Sequence, residues 1–148
     1  MLNATPEGHA KILATFGTAG TPLCHSGVAK LPEQLLVGGT DKHITKFYCH
    51  AFLAENFEHV FARIHAEGLW PKLVTFDGCF NNRPQKGGTK LSTHAWGISV
   101  DLNAATNALG TSGDMDARVV EIFKEEGFVW GGEFGRPDPM HFQYARKY

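Results

Sequence analysis

Cysteine is scarce in this chain. Three in 148 residues, with no CxxC pair, argue against a disulfide scaffold and against a cysteine-based zinc site. Cys24, Cys49 and Cys79 are odd in number, so the core must hold the fold without staples. No apolar run approaches the ~20 residues of a membrane-spanning helix. Neither sign of charge dominates: 14 basic and 15 acidic residues leave a formal net charge of −1. That excludes the basic footprint of a nucleic-acid binder. The N-terminus has no basic segment ahead of an apolar one, and Glu7, His9 and Lys11 interrupt it. No signal peptide is expected there, so the chain is expected to be made in the cytoplasm. No internal repeat, low-complexity tract or linker divides it. One domain over 1–148 is the expectation at this length.

What is present is ordinary globular material, 43% hydrophobic and 20% charged. Eight histidines are slightly many for the length and direct attention to a metal site.

Three segments read as helices. Residues 6–16 have Thr5 as a cap, Pro6 at the first position and Gly17 as a stop. Residues 51–67 carry Leu53, Phe57, Val60, Phe61 and Ile64 at helical spacing before Gly68. Residues 115–126 put Val119, Ile122 and Phe123 inward, with Ser112 or Asp114 as the cap and Gly127 as the end. Strands are expected at 44–49, 73–76, 98–103, 128–130 and 140–144. In 98–103, Ile98, Val100 and Leu102 share one face, and Ser99, Asp101 and Asn103 the other. In 140–144, His141 and Gln143 oppose Met140, Phe142 and Tyr144. Two loops, 81–90 (NNRPQKGGTK) and 103–114 (NAATNALGTSGD), are long enough to border a site. The fold class is α+β, a small and mainly antiparallel sheet with helices packed on it.

Two segments could carry chemistry: 92–101 (STHAWGISVD) and 138–143 (DPMHFQ). A catalytic zinc needs three protein ligands and one open position for water. His94, Asp101 and His141 can supply the ligands. Zinc lowers the pKa of bound water from ~15.7 to ~7, and a further carboxylate must take and return its proton. Asp138 is the candidate. Alternation places Asp101 and His141 on polar strand faces. His94 lies seven positions before Asp101, on the wrong face of any continuous strand. It must stand outside the strand, the reading preferred here, or Gly97 must mark a bulge. The bland alternative is that His94 packs beside Trp96 and that Asp138-Pro139 is only a turn.

The pattern Ser92-x-His94-x-x-Gly97-x-x-x-Asp101, followed by Asp138-x-x-His141, resembles the VanY-type D-alanyl-D-alanine carboxypeptidases. It equally resembles the related L-alanyl-D-glutamate endopeptidases, many of them phage endolysins. Residues 76–103, residues 127–143 and the pair Cys49-His50 share the likeness; the first forty residues do not. The resemblance implies a Hedgehog/D-Ala-D-Ala peptidase-like fold. It also implies one zinc ion on His94, Asp101 and His141, with Asp138 as catalytic carboxylate. Arg83 would steady an oxyanion or hold a substrate carboxylate, and Ser92 would bind substrate or brace the loop.

The function so implied is a zinc peptidase acting on the peptidoglycan stem peptide. A monomer is expected, with no nucleic-acid or membrane partner. An L-alanyl-D-glutamate endopeptidase of phage or prophage origin, reaching the periplasmic wall after holin-type release, is the first reading. A D-alanyl-D-alanine carboxypeptidase is the second. A catalytically silent binding module is the third, because Hedgehog signalling domains share the fold and zinc site. A domain without metal is the fourth. His50 is expected to cap or pack near the long helix. His9, His25, His43, His59 and His65 are expected at the surface or in packing. Cys79 is assigned no role.

Overall fold

A computed structural model describes all 148 residues. In chain order the main elements are α1 (His9–Phe16), β1 (Gly27–Val37), β2 (His43–Cys49), α2 (Ala54–Ala66), β3 (Thr75–Gly78), β4 (Ser99–Leu102), α3 (Ala117–Glu125), β5 (Val129–Trp130) and β6 (His141–Gln143). The six strands form one mixed sheet in the order β2-β1-β3-β4-β6-β5. Only β1 and β3 run parallel. The other four pairings are antiparallel, so the architecture is the α+β class expected.

The helices form because each has an apolar stripe to bury. Phe57, Val60, Phe61 and Ile64 of α2 are fully buried. Val119, Ile122 and Phe123 of α3 are as well. Phe47 from β2 meets Phe57 and Phe61, and Phe123 stacks on Phe142 of β6 with centroids 4.0 Å apart. Each such side chain contributes about 1.5–3 kcal/mol on leaving water.

Several expectations are corrected. Thr5 does not cap α1: Gly8 holds that position, and the Thr5 hydroxyl instead donates to the Gly127 carbonyl at 2.6 Å. The α3 cap is Asp116, whose carboxylate accepts from Arg118 and Val119 N–H, so neither Ser112 nor Asp114 serves. Strand β3 starts at Thr75, because Pro71 sets a 3-10 turn over Trp70–Lys72 that ends at Leu73. The longest strand, β1, had no expected counterpart. Pro32 interrupts its alternation, and the pairing register with β2 shifts between Lys30 and Leu35. Proline in a strand is tolerated at such irregularities.

The strand pairing positions the site. In the β4–β6 ladder Asp101 stands opposite His141 and Ser99 opposite Gln143. Val100 and Phe142, one residue out of phase, are fully buried in the core.

Candidate metal centre and active site

His94 enters from outside the sheet. It lies in a 3-10 turn, Thr93–Trp96, capped by Ser92, whose side chain accepts the His94 N–H at 3.2 Å. Gly97 then turns the chain into β4 with φ 68°. Glycine is needed there twice over: the backbone is left-handed, and a Cβ would overlap the Cys24 carbonyl oxygen. The seven-residue spacing from His94 to Asp101 is thus resolved by the turn. Trp96 is 1% exposed, and its indole N–H donates to Gly17. It is a core residue.

His94, Asp101 and His141 offer ligand atoms that all lie within 4.8 Å of one another. Asp101 bridges the two imidazoles, with Oδ2 3.1 Å from His94 Nε2 and Oδ1 3.1 Å from His141 Nδ1. The far side of each ring says what those nitrogens carry. His94 Nδ1 sits 2.6 Å from the Cys79 carbonyl. A carbonyl only accepts, so Nδ1 bears the hydrogen and Nε2 presents a lone pair. His141 Nε2 sits 2.9 Å from Gln143 Oε1. The Gln143 amide is oriented by its own N–H donation to the Ala145 carbonyl at 3.0 Å. So His141 Nε2 bears a hydrogen and Nδ1 faces Asp101.

Two imidazole nitrogens and a carboxylate therefore point at one small volume, and no donor stands among them. His94 Nε2 is buried without any hydrogen bond, despite its closeness to Asp101. Leaving such an atom bare costs about 1–3 kcal/mol. A cation removes the conflict. A proton can sit on His141 Nδ1 against Asp101, but it leaves His94 Nε2 unserved. A divalent ion serves all three. Tetrahedral zinc at ~2.0–2.1 Å holds its ligand atoms roughly 3.3 Å apart, close to the 3.1 Å between Asp101 and each imidazole. The residues fit the ion.

Charges in the site follow the same logic. Burial works to raise the Asp101 carboxyl, but the His141 and His94 rings hold it below the usual carboxylate range. Burial works to lower His141, yet Asp101 carries it above the ordinary histidine value. Asp138 is raised, by burial first and by the Asp101 charge second, against opposing pulls from His141, His94 and Lys86. Its loop is held firmly: Asp138 N–H donates to Gly131 at 2.8 Å, and its carbonyl accepts from His141 N–H at 3.0 Å. Trp130 donates its indole N–H to the Pro139 carbonyl at 2.8 Å. Strand β5 and the turn at Gly131–Glu133 thus brace the loop from behind.

These groups share a cleft of about 430 Å³, whose walls include Arg83, Ser92 and Asp138 as well as the three potential ligands. Arg83 stands at the base of a small hairpin within the 81–90 loop. Its carbonyl accepts from Ser92 N–H, and Pro84 bridges Leu91. Ser92 therefore spends its hydroxyl bracing the turn that carries His94.

Residues 86–144 match the family model described as D-alanyl-D-alanine carboxypeptidase. The matched stretch contains Ser92, His94, Asp101, Asp138 and His141 and begins three residues after Arg83. It supports the broad family of zinc peptidases that the motifs resemble. No curated protein matches the chain.

Sequence reasoning missed the supporting residues. Gln143 orients His141, and Thr93 donates to Gln143 Oε1 at 3.2 Å while itself accepting from Ser99. The only sequence signal was that Gln143 shares a strand face with His141. Replacing Gln143 with Leu removes the acceptor that sets the His141 tautomer. Zinc affinity is expected to fall about 10–100-fold, which competition with a chromogenic chelator will measure.

The remaining histidines and the cysteine side chains lie outside the cleft. His50 Nδ1 accepts from Phe52 N–H at 3.0 Å and its Nε2 donates to the Phe16 carbonyl at 2.9 Å, tying α1 to the approach to α2. His9, His25, His43, His59 and His65 are exposed. Burial pushes the Cys79 thiol well up; its contribution to the site is its backbone carbonyl.

Proposed function

We propose that this protein is a zinc peptidase that cuts the stem peptide of bacterial peptidoglycan, with the L-alanyl-D-glutamate bond as its target in the manner of a phage endolysin. The observation that carries the reading is the convergence of His94 Nε2, Asp101 and His141 Nδ1 beside Asp138 and Arg83 in one cleft. Zinc on those three ligands would acidify water and polarise a carbonyl.

The chain's own residues do the rest. Asp138 accepts a proton from the attacking water on its carboxylate and returns it to the leaving nitrogen. Burial brings its proton affinity nearer to neutrality, which suits a group that must both take and give. Arg83 places a fixed positive charge beside the scissile carbonyl or on a substrate carboxylate. Ser92 acts as a positioning residue by holding the His94 turn. On this reading the protein works in the periplasm after release from the cytoplasm. A D-alanyl-D-alanine carboxypeptidase is the second reading, favoured by the description of the matched family model.

Digestion of purified Gram-negative peptidoglycan by the zinc-loaded protein, followed by mass spectrometry, separates them. Stem peptides that begin at D-glutamate are the expected result. Loss of a single terminal D-alanine would establish the carboxypeptidase instead. An intact wall with zinc bound would overturn both.

A further inference from the structure

The cleft is more basic than its floor requires. Of the five arginines, Arg63 and Arg118 are tied into ion pairs with Glu67, Glu125 and Glu126. Arg83 and Arg136 line the cleft, with Lys86, and none of the three makes an ion pair. A divalent cation would balance the two carboxylates on the floor, Asp101 and Asp138. Three wall cations then remain uncompensated in a protein whose overall charge is −1. A cleft with that excess selects an anionic ligand.

The cations are not in one place. Arg83 sits at the base of the 81–90 hairpin, next to Ser92 and so to the turn of His94. Lys86 sits near its tip, where Gln85 N–H pairs with the Lys90 carbonyl and Gly88 N–H turns back onto Gln85. Arg136 comes from the opposite loop and meets that tip: its guanidinium Nη1 lies 3.8 Å from where a Cβ on Gly87 would stand. Gly87 has φ 77° and no side chain to block the approach. So one positive site adjoins the reacting centre, and a second lies outward, where Arg136 meets the hairpin tip that carries Lys86. The four residue steps from Arg83 to Gly87 bound the separation of those two backbone positions at about 13–14 Å.

We propose that Arg136 and Lys86 form a second carboxylate subsite, distinct from Arg83, so that the preferred substrate is a peptide with two carboxylates. One lies beside the scissile bond, and the other one side chain or so farther along. Arg136 supplies the planar fork that reads a carboxylate bidentately, and Lys86 adds a mobile point charge. The proposal rests on the peptidase reading and specifies its substrate class.

The test uses two C-terminally amidated tripeptides, L-alanyl-γ-D-glutamyl-meso-diaminopimelate and L-alanyl-γ-D-glutamyl-L-lysine. They differ in the carboxylate on the third side chain. The zinc-loaded protein is expected to prefer the diacid about tenfold in kcat/KM, through KM, and the preference should shrink as salt is added. Arg136→Gln should erase it, and Arg146→Gln, an exposed arginine outside the cleft, should preserve it. Equal kcat/KM for both peptides, or a preference that survives Arg136→Gln, overturns the subsite. If neither peptide is cut, the endopeptidase reading fails separately. Titration calorimetry of both peptides with the zinc-loaded protein then decides the subsite. About tenfold tighter binding of the diacid, lost in Arg136→Gln, upholds it; equal binding overturns it.

Discussion

Asp138→Ala is expected to lower kcat at least about 10³-fold while one equivalent of zinc stays bound. General acid–base groups contribute typically 10²–10⁴-fold, and Asp138 would serve in both directions of proton transfer. The ligand trio does not depend on it. His94 is oriented by Cys79 and His141 by Gln143, with Asp101 in register across the β4–β6 ladder. The Asp138 loop is held by backbone hydrogen bonds to Gly131 and His141 that alanine preserves. Turnover of peptidoglycan fragments and elemental analysis of the same sample check the two halves. Zinc lost together with activity would make Asp138 a ligand-shell residue rather than the proton carrier.

Asp101→Ala should have the other large effect, abolishing both zinc binding and activity. Removing the carboxylate leaves two neutral imidazoles and no charge to balance the ion. Affinity should fall by more than the 10–100-fold typical of an outer-shell change. The same site makes the response to zinc depend on pH. In the metal-free protein His141 has its proton affinity raised by Asp101. The stability from that charged pair is therefore full below the unfolded histidine pKa, ~6.5, and is lost as pH rises through the raised folded value. Zinc needs the same nitrogen unprotonated, so its affinity is full above that value and falls as pH is lowered through it. The gain in Tm on adding zinc should therefore grow with pH. At 100 times Kd it corresponds to about 2.7 kcal/mol. Differential scanning calorimetry from pH 5 to 8, with and without zinc, measures it. A gain independent of pH would place the ion elsewhere.

Much of the frame was legible in the residues because it rests on local periodicity. The stripe of Phe57, Val60, Phe61 and Ile64 announces a buried helix whatever lies opposite. Alternation in 98–103 and 140–144 separates Val100 and Phe142 from Asp101 and His141, and the folded chain keeps that separation. The misses have physical causes too. Strand β1 was invisible because Pro32 and its polar neighbours break the alternation, and only pairing with β2 on one side and β3 on the other makes the segment a strand. Thr5 looked like a helix cap because caps are read from neighbours in sequence, whereas its hydroxyl is taken by Gly127, 122 positions away.

The sequence by itself determined the donors: two imidazoles, two carboxylates and an arginine, on segments whose polar faces could present them. It also determined that His94 cannot share one continuous strand with Asp101. Only the tertiary structure decided which nitrogen of each histidine is free. That choice belongs to the Cys79 carbonyl and the Gln143 amide, on other parts of the fold. It alone decided that Asp101 and His141 face each other, since strand register is a property of two segments 40 residues apart. And it alone brought Arg136 to the hairpin tip at Gly87, a meeting of two loops that no periodicity encodes.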